Sequence, residues 1–554
     1  MYACKMCRRL RHSRRSPMGK EFRKIVIAAD RSGAGKTTVC CGLLGILKKH
    51  GIRVQSFKCG PDYIDPMFHR RVLGVPSGNL DSFFTDAPML RRIFRARMTE
   101  EHADFALIEG VMGYYDGLGG VSSIGSTWEI AQILEAPTIL VLDAKGASVT
   151  MAALLRGMMD FMKVEETTRG IGQAGRHDFS GECATMHSEE VAGSRTQDRS
   201  GRICGVILNR VSPMFYPRLK SVLEEHCPGV EVLGYLPELP ELQLPSRHLG
   251  LVEPEEIEGF RAWASRVTDI LEAHVDMERL WALAGGDWEA AASLEAEQEE
   301  RPSFDAEEQG SGRRVAAERK GTFPEADAQR KKNPNGGIGR RPVRIAVSED
   351  EAFNFTYQEN RLLLEQLGAE LVPFSPLHDV TLPTDIDGMI LSGGYPELYK
   401  EELQKTASMR ASVARAVQQG LPTLAECGGY MYLLDAIEGV PMCGVLRGDA
   451  ERKERLVRFG YVEATTRRKS VLGPAGTVLR GHEFHRYDCD FNGADCILTK
   501  PAAGQGKAAT TARSYEGIYL TERLAAGFPH FYYWSNPDAL AHFLEVCRTW
   551  REKE

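Results

Sequence analysis

Nowhere in the 554-residue chain is there a run of about 18 apolar residues, the length a helix needs to cross a bilayer, so a helical membrane protein is excluded. Residues 1–20 carry Arg8, Arg9, Arg11, Arg14 and Arg15 around no apolar stretch, which rules out a secretory signal there. Charge of one sign is also missing. The 69 Lys and Arg stand against 76 Asp and Glu, a formal net charge of -7, and no global basic field invites nucleic acid. The 13 cysteines have no regular spacing, and adjacent Cys40 and Cys41 fall in a helical pattern. Reduced thiols and a cytoplasmic location are expected rather than a disulfide framework. Cys4 and Cys7 make one CxxC, and His12 alone does not complete a zinc site. What remains is a globular composition, 43% hydrophobic and 26% charged, long enough for several cores.

The order of segments predicts an α/β protein of two domains. Residues 1–22 are expected to form a disordered basic leader, or to precede a start at Met18. From residue 23 apolar runs at 25–29, 53–57, 105–108, 138–142 and 203–208 alternate with helical patterns, the rhythm of a parallel sheet covered on both faces. This first domain is expected to span 23–284, with a disordered insert at about 165–202, where apolar periodicity fades. Residues 285–341, acidic then basic, read as a disordered linker. A second α/β rhythm, with runs at 343–347, 370–374, 388–391 and 421–426, fills 342–554.

After the first apolar run stands Asp30-Arg31-Ser32-Gly33-Ala34-Gly35-Lys36-Thr37-Thr38, leading into a helical pattern. Such a loop turns backbone N–H groups toward phosphate oxygens at a helix N-terminus; Lys36 would neutralise β and γ charge and Thr37 would hold Mg²⁺. Asp30 stands where the full pattern has Gly, as in the P-loop branch of dethiobiotin synthetase and the MinD-like ATPases. Asp62 and Glu109 each follow an apolar run, at the sheet edge where open α/β folds bind ligands. Either alone would be a solvated loop carboxylate; behind a P-loop they become candidate Mg²⁺ ligands with Thr37.

In the second domain the 421–426 run leads straight into Cys427-Gly428-Gly429, a strand turning sharply into a helix, with Ala425 where a Gly-x-Cys-x-Gly elbow has its first Gly. That geometry exposes a nucleophile whose thiolate the helix dipole would assist. Gly393 and Gly394, in Ser392-Gly393-Gly394-Tyr395-Pro396, could lend N–H donors to an oxyanion. The base is open between His482, His485 and His530.

These segments, with Phe57-Lys58-Cys59-Gly60-Pro61-Asp62-Tyr63-Ile64-Asp65-Pro66, Asn79-Leu80-Asp81, Glu109-Gly110-Val111-Met112-Gly113, Cys427-Gly428-Gly429-Tyr430-Met431-Tyr432 and Gly481-His482-Glu483-Phe484-His485, together resemble the cobyrinate a,c-diamide synthase family. The resemblance implies an ATP-dependent carbon–nitrogen ligase of corrinoid biosynthesis. Its class I glutaminase domain would release ammonia from glutamine, and its P-loop domain would convert the c and then the a acetate carboxylate into an acyl phosphate that ammonia displaces. It implies Cys427 as the nucleophile that forms a γ-glutamyl thioester, His530 as its base, Asn209 as the reader of adenine, and Tyr63, Ile64 and Asp65 as substrate contacts. Many class I glutaminases have Glu two residues after the histidine; Tyr532 stands there, consistent with a Cys–His dyad. Tyr532 and Tyr533 depart from the family's His-x-His-Phe pattern and put the local substrate or domain contact in question. The implied cofactors are ATP and Mg²⁺ and the partners are small molecules (cobyrinate, glutamine, ATP), with no nucleic acid and no membrane; a homodimer is left open. Nickel sirohydrochlorin and hydrogenobyrinate are alternative substrates, and a MinD-like ATPase switch is the alternative of a different class.

Overall fold

A computed structural model describes residues 22–174, 202–239, 254–286, 341–502 and 511–552. The leader up to residue 21, residues 175–201 of the insert and linker residues 287–340 lie outside the described residues.

The first unit is built on seven strands, all parallel: β1 (Arg23–Ala29), β2 (Val54–Cys59), β3 (Ser77–Leu80), β4 (Phe105–Glu109), β5 (Thr138–Asp143), β6 (Ile203–Asn209) and β7 (Glu231–Leu236), in the order β3-β2-β4-β1-β5-β6-β7. Strands β2 to β5 are buried along their whole length, and the aliphatic β4 and β5 therefore read as continuous rather than alternating apolar runs. Helix α1 (Lys36–Lys49) turns Val39, Leu43, Leu44 and Leu47 inward and ends on Lys48 and Lys49, cations that suit the negative end of the helix. It packs against the later helix Pro254–His274, forming one apolar layer. Helices Ala87–Glu100 and Thr127–Leu134, started by the side chains of Asp86 and Ser126, cover the other face. The helix Val149–Ala174 corrects the expectation of an insert from about 165. Its backbone continues ten residues into that segment, because helical hydrogen bonds are satisfied locally and need no apolar stripe.

In the second unit β8 (Val343–Ser348), β9 (Ala369–Phe374), β10 (Gly388–Leu391) and β11 (Thr423–Glu426) form a parallel core. Strand Leu524–Gly527 extends it in parallel and Tyr519–Leu520 closes the edge in antiparallel sense. Beside it lies a five-stranded antiparallel sheet absent from the sequence reading, with Arg458–Thr466 and Val478–His485 among its inner strands and His530–Phe531 at one edge. Its register sets His482 opposite His530.

The two units share one apolar cluster. Phe84 of the first stacks on Tyr532 of the second at 5.1 Å, and Phe83 lies 4.4 Å from Tyr461. Polar contacts reinforce the junction: Tyr461 donates to Asp81 (2.7 Å), Arg480 to the Phe83 carbonyl (3.0 Å), and the Asn79 amide to the buried Glu359 carboxylate (3.1 Å).

Candidate active sites

Strand β1 delivers the chain to the loop at its C-terminal end. There a cleft of about 450 Å³ is lined by Ser32, Gly33, Gly35, Lys36, Thr37 and Thr38 from the loop and by Lys58, Asp62, Asn209 and Arg210 from neighbouring strand ends. The loop backbone is tight. Gly35 has φ +100°, and a Cβ there would sit 2.2 Å from the Asn209 amide nitrogen, which donates to the Ala34 carbonyl at 2.9 Å. The Lys36 ammonium is held between the Met112 and Arg31 carbonyls, and burial followed by Lys58 lowers its pKa.

Behind the loop, Thr37 donates to Glu109 at 2.7 Å, and Lys58 bridges Glu109 (2.8 Å) and Asp65 (2.6 Å). Glu109 is fully buried and reaches the cleft through these two partners. Its second oxygen has no hydrogen-bond partner and faces His69 at 3.4 Å. Burial opposes the charge on Lys58, but Asp65 and Glu109 raise its pKa well above the ordinary value. Burial, then Asp65, pushes Asp62 up to about 6. Thr37 and Asp62 line this phosphate-sized space and Glu109 accepts from Thr37 behind it; this set of hard oxygens fits Mg²⁺ held together with substrate phosphates.

In the second unit Cys427 has φ 48° and ψ -105°, a conformation L residues rarely adopt, and its amide donates to Gly527 at 2.8 Å. The strain stands where strand β11 ends and the helix Gly428–Leu433 begins. The loop of Gly393 and Gly394 fills the gap between this elbow and His530. A Cβ on Gly428 would lie 3.0 Å from the Gly394 nitrogen, and one on Gly393 would lie 2.2 Å from His530 Cε1. The structure therefore packs the Cys427 elbow, through Gly428, and His530 against the same Gly393–Gly394 loop.

The three histidines differ in what already holds them. His482 Nδ1 is hydrogen-bonded to the Tyr357 hydroxyl (2.9 Å) and burial drops its pKa to about 3. His485 Nδ1 is bonded to the Tyr487 carbonyl (2.7 Å), and its ring lies flat on Phe528. His530 Nδ1 is buried without a hydrogen-bond partner, and its ring stacks on His482 at 5.1 Å. Burial, then His482, holds its pKa well below 6.5, leaving a neutral imidazole able to accept a proton. The expectation of a dipole-assisted thiolate is corrected: burial, followed by Glu397, pushes the Cys427 thiol far above its ordinary value.

Tyr532 turns away from this centre, its ring on Phe84 and its hydroxyl 3.4 Å from the Asn79 carbonyl of the first unit. Tyr533 donates to Glu426 (3.0 Å), whose pKa burial raises to about 8. The two tyrosines serve the domain contact and the support of the elbow. Tyr63 likewise lies among Phe355, Tyr357, His482 and His530 of the second unit, while Asp65 is buried on Lys58. Sequence reasoning passed over Lys58, Arg210 and Tyr357. A lysine near the end of a buried strand was a legible sign for the first; Tyr357 carries none, since its partner is 125 residues away.

Residues 25–252 match the model of the CobQ/CobB/MinD/ParA nucleotide binding domain, and residues 344–537 that of the CobB/CobQ-like glutamine amidotransferase domain. The chain is 33% identical to a cobyrinate a,c-diamide synthase of Clostridium acetobutylicum, over 94% of this chain and 100% of the relative. It is 34% identical to the cobyrinate a,c-diamide synthase of Salmonella typhimurium and 34% identical to the hydrogenobyrinate a,c-diamide synthase of Streptomyces coelicolor, in each case over 96% of this chain and 99% of the relative. With a nucleotide-binding domain and a glutamine amidotransferase domain in this order, the chain belongs to the cobyrinate a,c-diamide synthase family.

Proposed function

We propose that the chain uses ATP and glutamine to convert the c and then the a acetate carboxylate of cobyrinate into primary amides. The observation that carries the reading is the presence in one folded chain of a P-loop cleft backed by Lys58, Asp62, Asp65 and Glu109 and of a strained cysteine elbow and a histidine with a free ring nitrogen that both pack on the Gly393–Gly394 loop.

In the glutaminase centre the Cys427 sulfur attacks the glutamine carboxamide while His530 takes the thiol proton. The developing oxyanion is received by backbone N–H groups of Gly393 and Gly394. His530 returns the proton to the leaving nitrogen, ammonia departs, and water attacks the γ-glutamyl thioester to release glutamate and restore the thiol. Because thiol and imidazole both start neutral, the proton moves as the carbon–sulfur bond forms.

In the cleft a carboxylate oxygen of the macrocycle attacks the γ-phosphorus of ATP, and the bond to the β–γ bridging oxygen breaks to leave ADP. A bare carboxylate resists ammonia because oxide is a poor leaving group; the acyl phosphate offers phosphate instead. Ammonia then forms the carbon–nitrogen bond and inorganic phosphate leaves. Lys36 holds β and γ charge, and Thr37, Asp62 and Glu109 would hold Mg²⁺, which supplies further charge neutralisation on those phosphates. Asn209 and Arg210 line the cleft and would flank the base, and Asp65 would act on the cleft through Lys58.

The name of the Streptomyces coelicolor relative supports hydrogenobyrinate as a second substrate for the same chemistry. A MinD-like switch would leave the Cys427 centre without a task. Incubation with glutamine, ATP and Mg²⁺, followed by mass spectrometry, separates the substrates. Two successive carboxyl-to-amide conversions on cobyrinate are expected; conversion of hydrogenobyrinate or nickel sirohydrochlorin alone would reassign the substrate.

A further inference from the structure

The loop that leaves β2 touches both centres. Its Asp62 lines the nucleotide cleft, and the next side chain, Tyr63, lies in the other unit. The Tyr63 ring stacks on Phe355 (5.0 Å, 5° between planes) and packs against Tyr357 at 4.6 Å, His530 at 5.3 Å and His482 at 5.6 Å. Tyr357, in contact with the Tyr63 ring, is hydrogen-bonded through its hydroxyl to His482 Nδ1 at 2.9 Å. Since His482 stacks on His530, the Tyr63 ring meets the glutaminase base twice, directly and through His482.

The other end of the loop is tied to groups that face the phosphates. One Asp62 oxygen accepts the amides of Ile64 (2.8 Å) and Asp65 (3.2 Å), and the Asp65 carboxylate grips Lys58, itself part of the cleft lining. The Asn79 side chain clamps the carbonyls of Gly60 (2.9 Å) and Asp62 (2.7 Å). A shift of Lys58 or Asp62 when nucleotide charge enters the cleft is therefore passed to Tyr63 within one short turn of chain.

We infer that Tyr63 is a positioning residue that couples the two centres: its ring partitions the Cys427–His530 centre from the phosphate cleft and sets the His530 imidazole according to the state of the 60–65 loop. The inference rests on the proposed two-centre reaction and concerns its synchrony rather than its chemistry.

The test measures glutamate released per amide formed in the full-length wild type, Y63A and Y63F, and separately the response of glutamate release to ATP and Mg²⁺ without macrocycle. The expected result is a ratio near one in the wild type, raised by roughly fivefold or more in Y63A, the low end of typical coupling between sites. Y63F, which keeps the ring, should stay near the wild type. The wild-type response to ATP and Mg²⁺ should vanish in Y63A. Y63L replaces Y63A in the same comparison if the alanine variant does not fold. An unchanged ratio and an unchanged ATP response would overturn the coupling role, and a Y63F as uncoupled as Y63A would overturn the partition by the ring. A wild type that amidates no corrinoid would defeat the substrate reading instead, while the ATP response still decides the role of Tyr63.

Discussion

Cys427 is 7% exposed, close to Glu397 and Glu426, and its thiol is held above the usual 9.0 while His530 is held below the usual 6.5. In the proposed reaction the neutral imidazole is the base; it exists above its pKa and is lost as pH falls through it. Because that pKa is depressed, glutamine hydrolysis should persist as pH drops through 6.5, and a pH profile of kcat/KM checks this. The thiol should correspondingly be alkylated more slowly at neutral pH than a free thiol, the reverse of a preformed thiolate–imidazolium pair, with peptide mapping at Cys427 as the readout. Gly393 offers a sharper probe. A methyl group there would strike His530, so G393A should lower glutamine hydrolysis by about 10²-fold through misplacement of the base. Lys36→Ala removes the cation facing the phosphates and should cost at least about 10²-fold with glutamine or ammonia as nitrogen source, followed by ADP release.

Elements rich in buried aliphatic residues were legible: β1, β4, β5 and β6 fall on the apolar runs, since burial on both faces of a parallel sheet leaves no alternation to misread. Strand β3 was not, because its sequence Ser77-Gly78-Asn79-Leu80 is mostly polar although every residue is buried. Its polar atoms are satisfied by partners that only the tertiary fold supplies: Glu359 on the Asn79 amide, and the Gly60 and Asp62 carbonyls on its side chain. Asn79→Ala would take this donor from the Asp62 carbonyl and leave the Gly60 carbonyl with the Asp62 amide alone, and should cost about 2 kcal/mol, measurable by chemical denaturation of the whole chain. Asn79→Asp, which sets an acceptor against acceptors, should cost more. The antiparallel strands were missed for a related reason. Arg458–Thr466 and Val478–His485 mix exposed and buried positions irregularly, and their pairing is fixed by distant neighbours.

For the whole molecule, the order of the two units and most side chains at each centre could be read along the chain, because each stands at the end of a strand within a short motif. Their meeting could not. Tyr63 with His530, Tyr532 with Asn79 and Tyr461 with Asp81 are separated by hundreds of residues, and no local pattern encodes the pairings. The departure at Tyr532 illustrates this: a position where many glutaminases carry Glu is here turned into a domain contact on Phe84. The proposed reaction, in which ammonia is the only chemical species passed between the centres, makes a separable prediction. The deciding measurement is mass spectrometry of the macrocycle after incubation of Cys427→Ala with ATP and Mg²⁺, once with glutamine and once with ammonia at raised pH. Loss of both amides with glutamine and their recovery with ammonia are predicted; amidation by the variant with glutamine, or failure with ammonia while the wild type succeeds, would contradict the account.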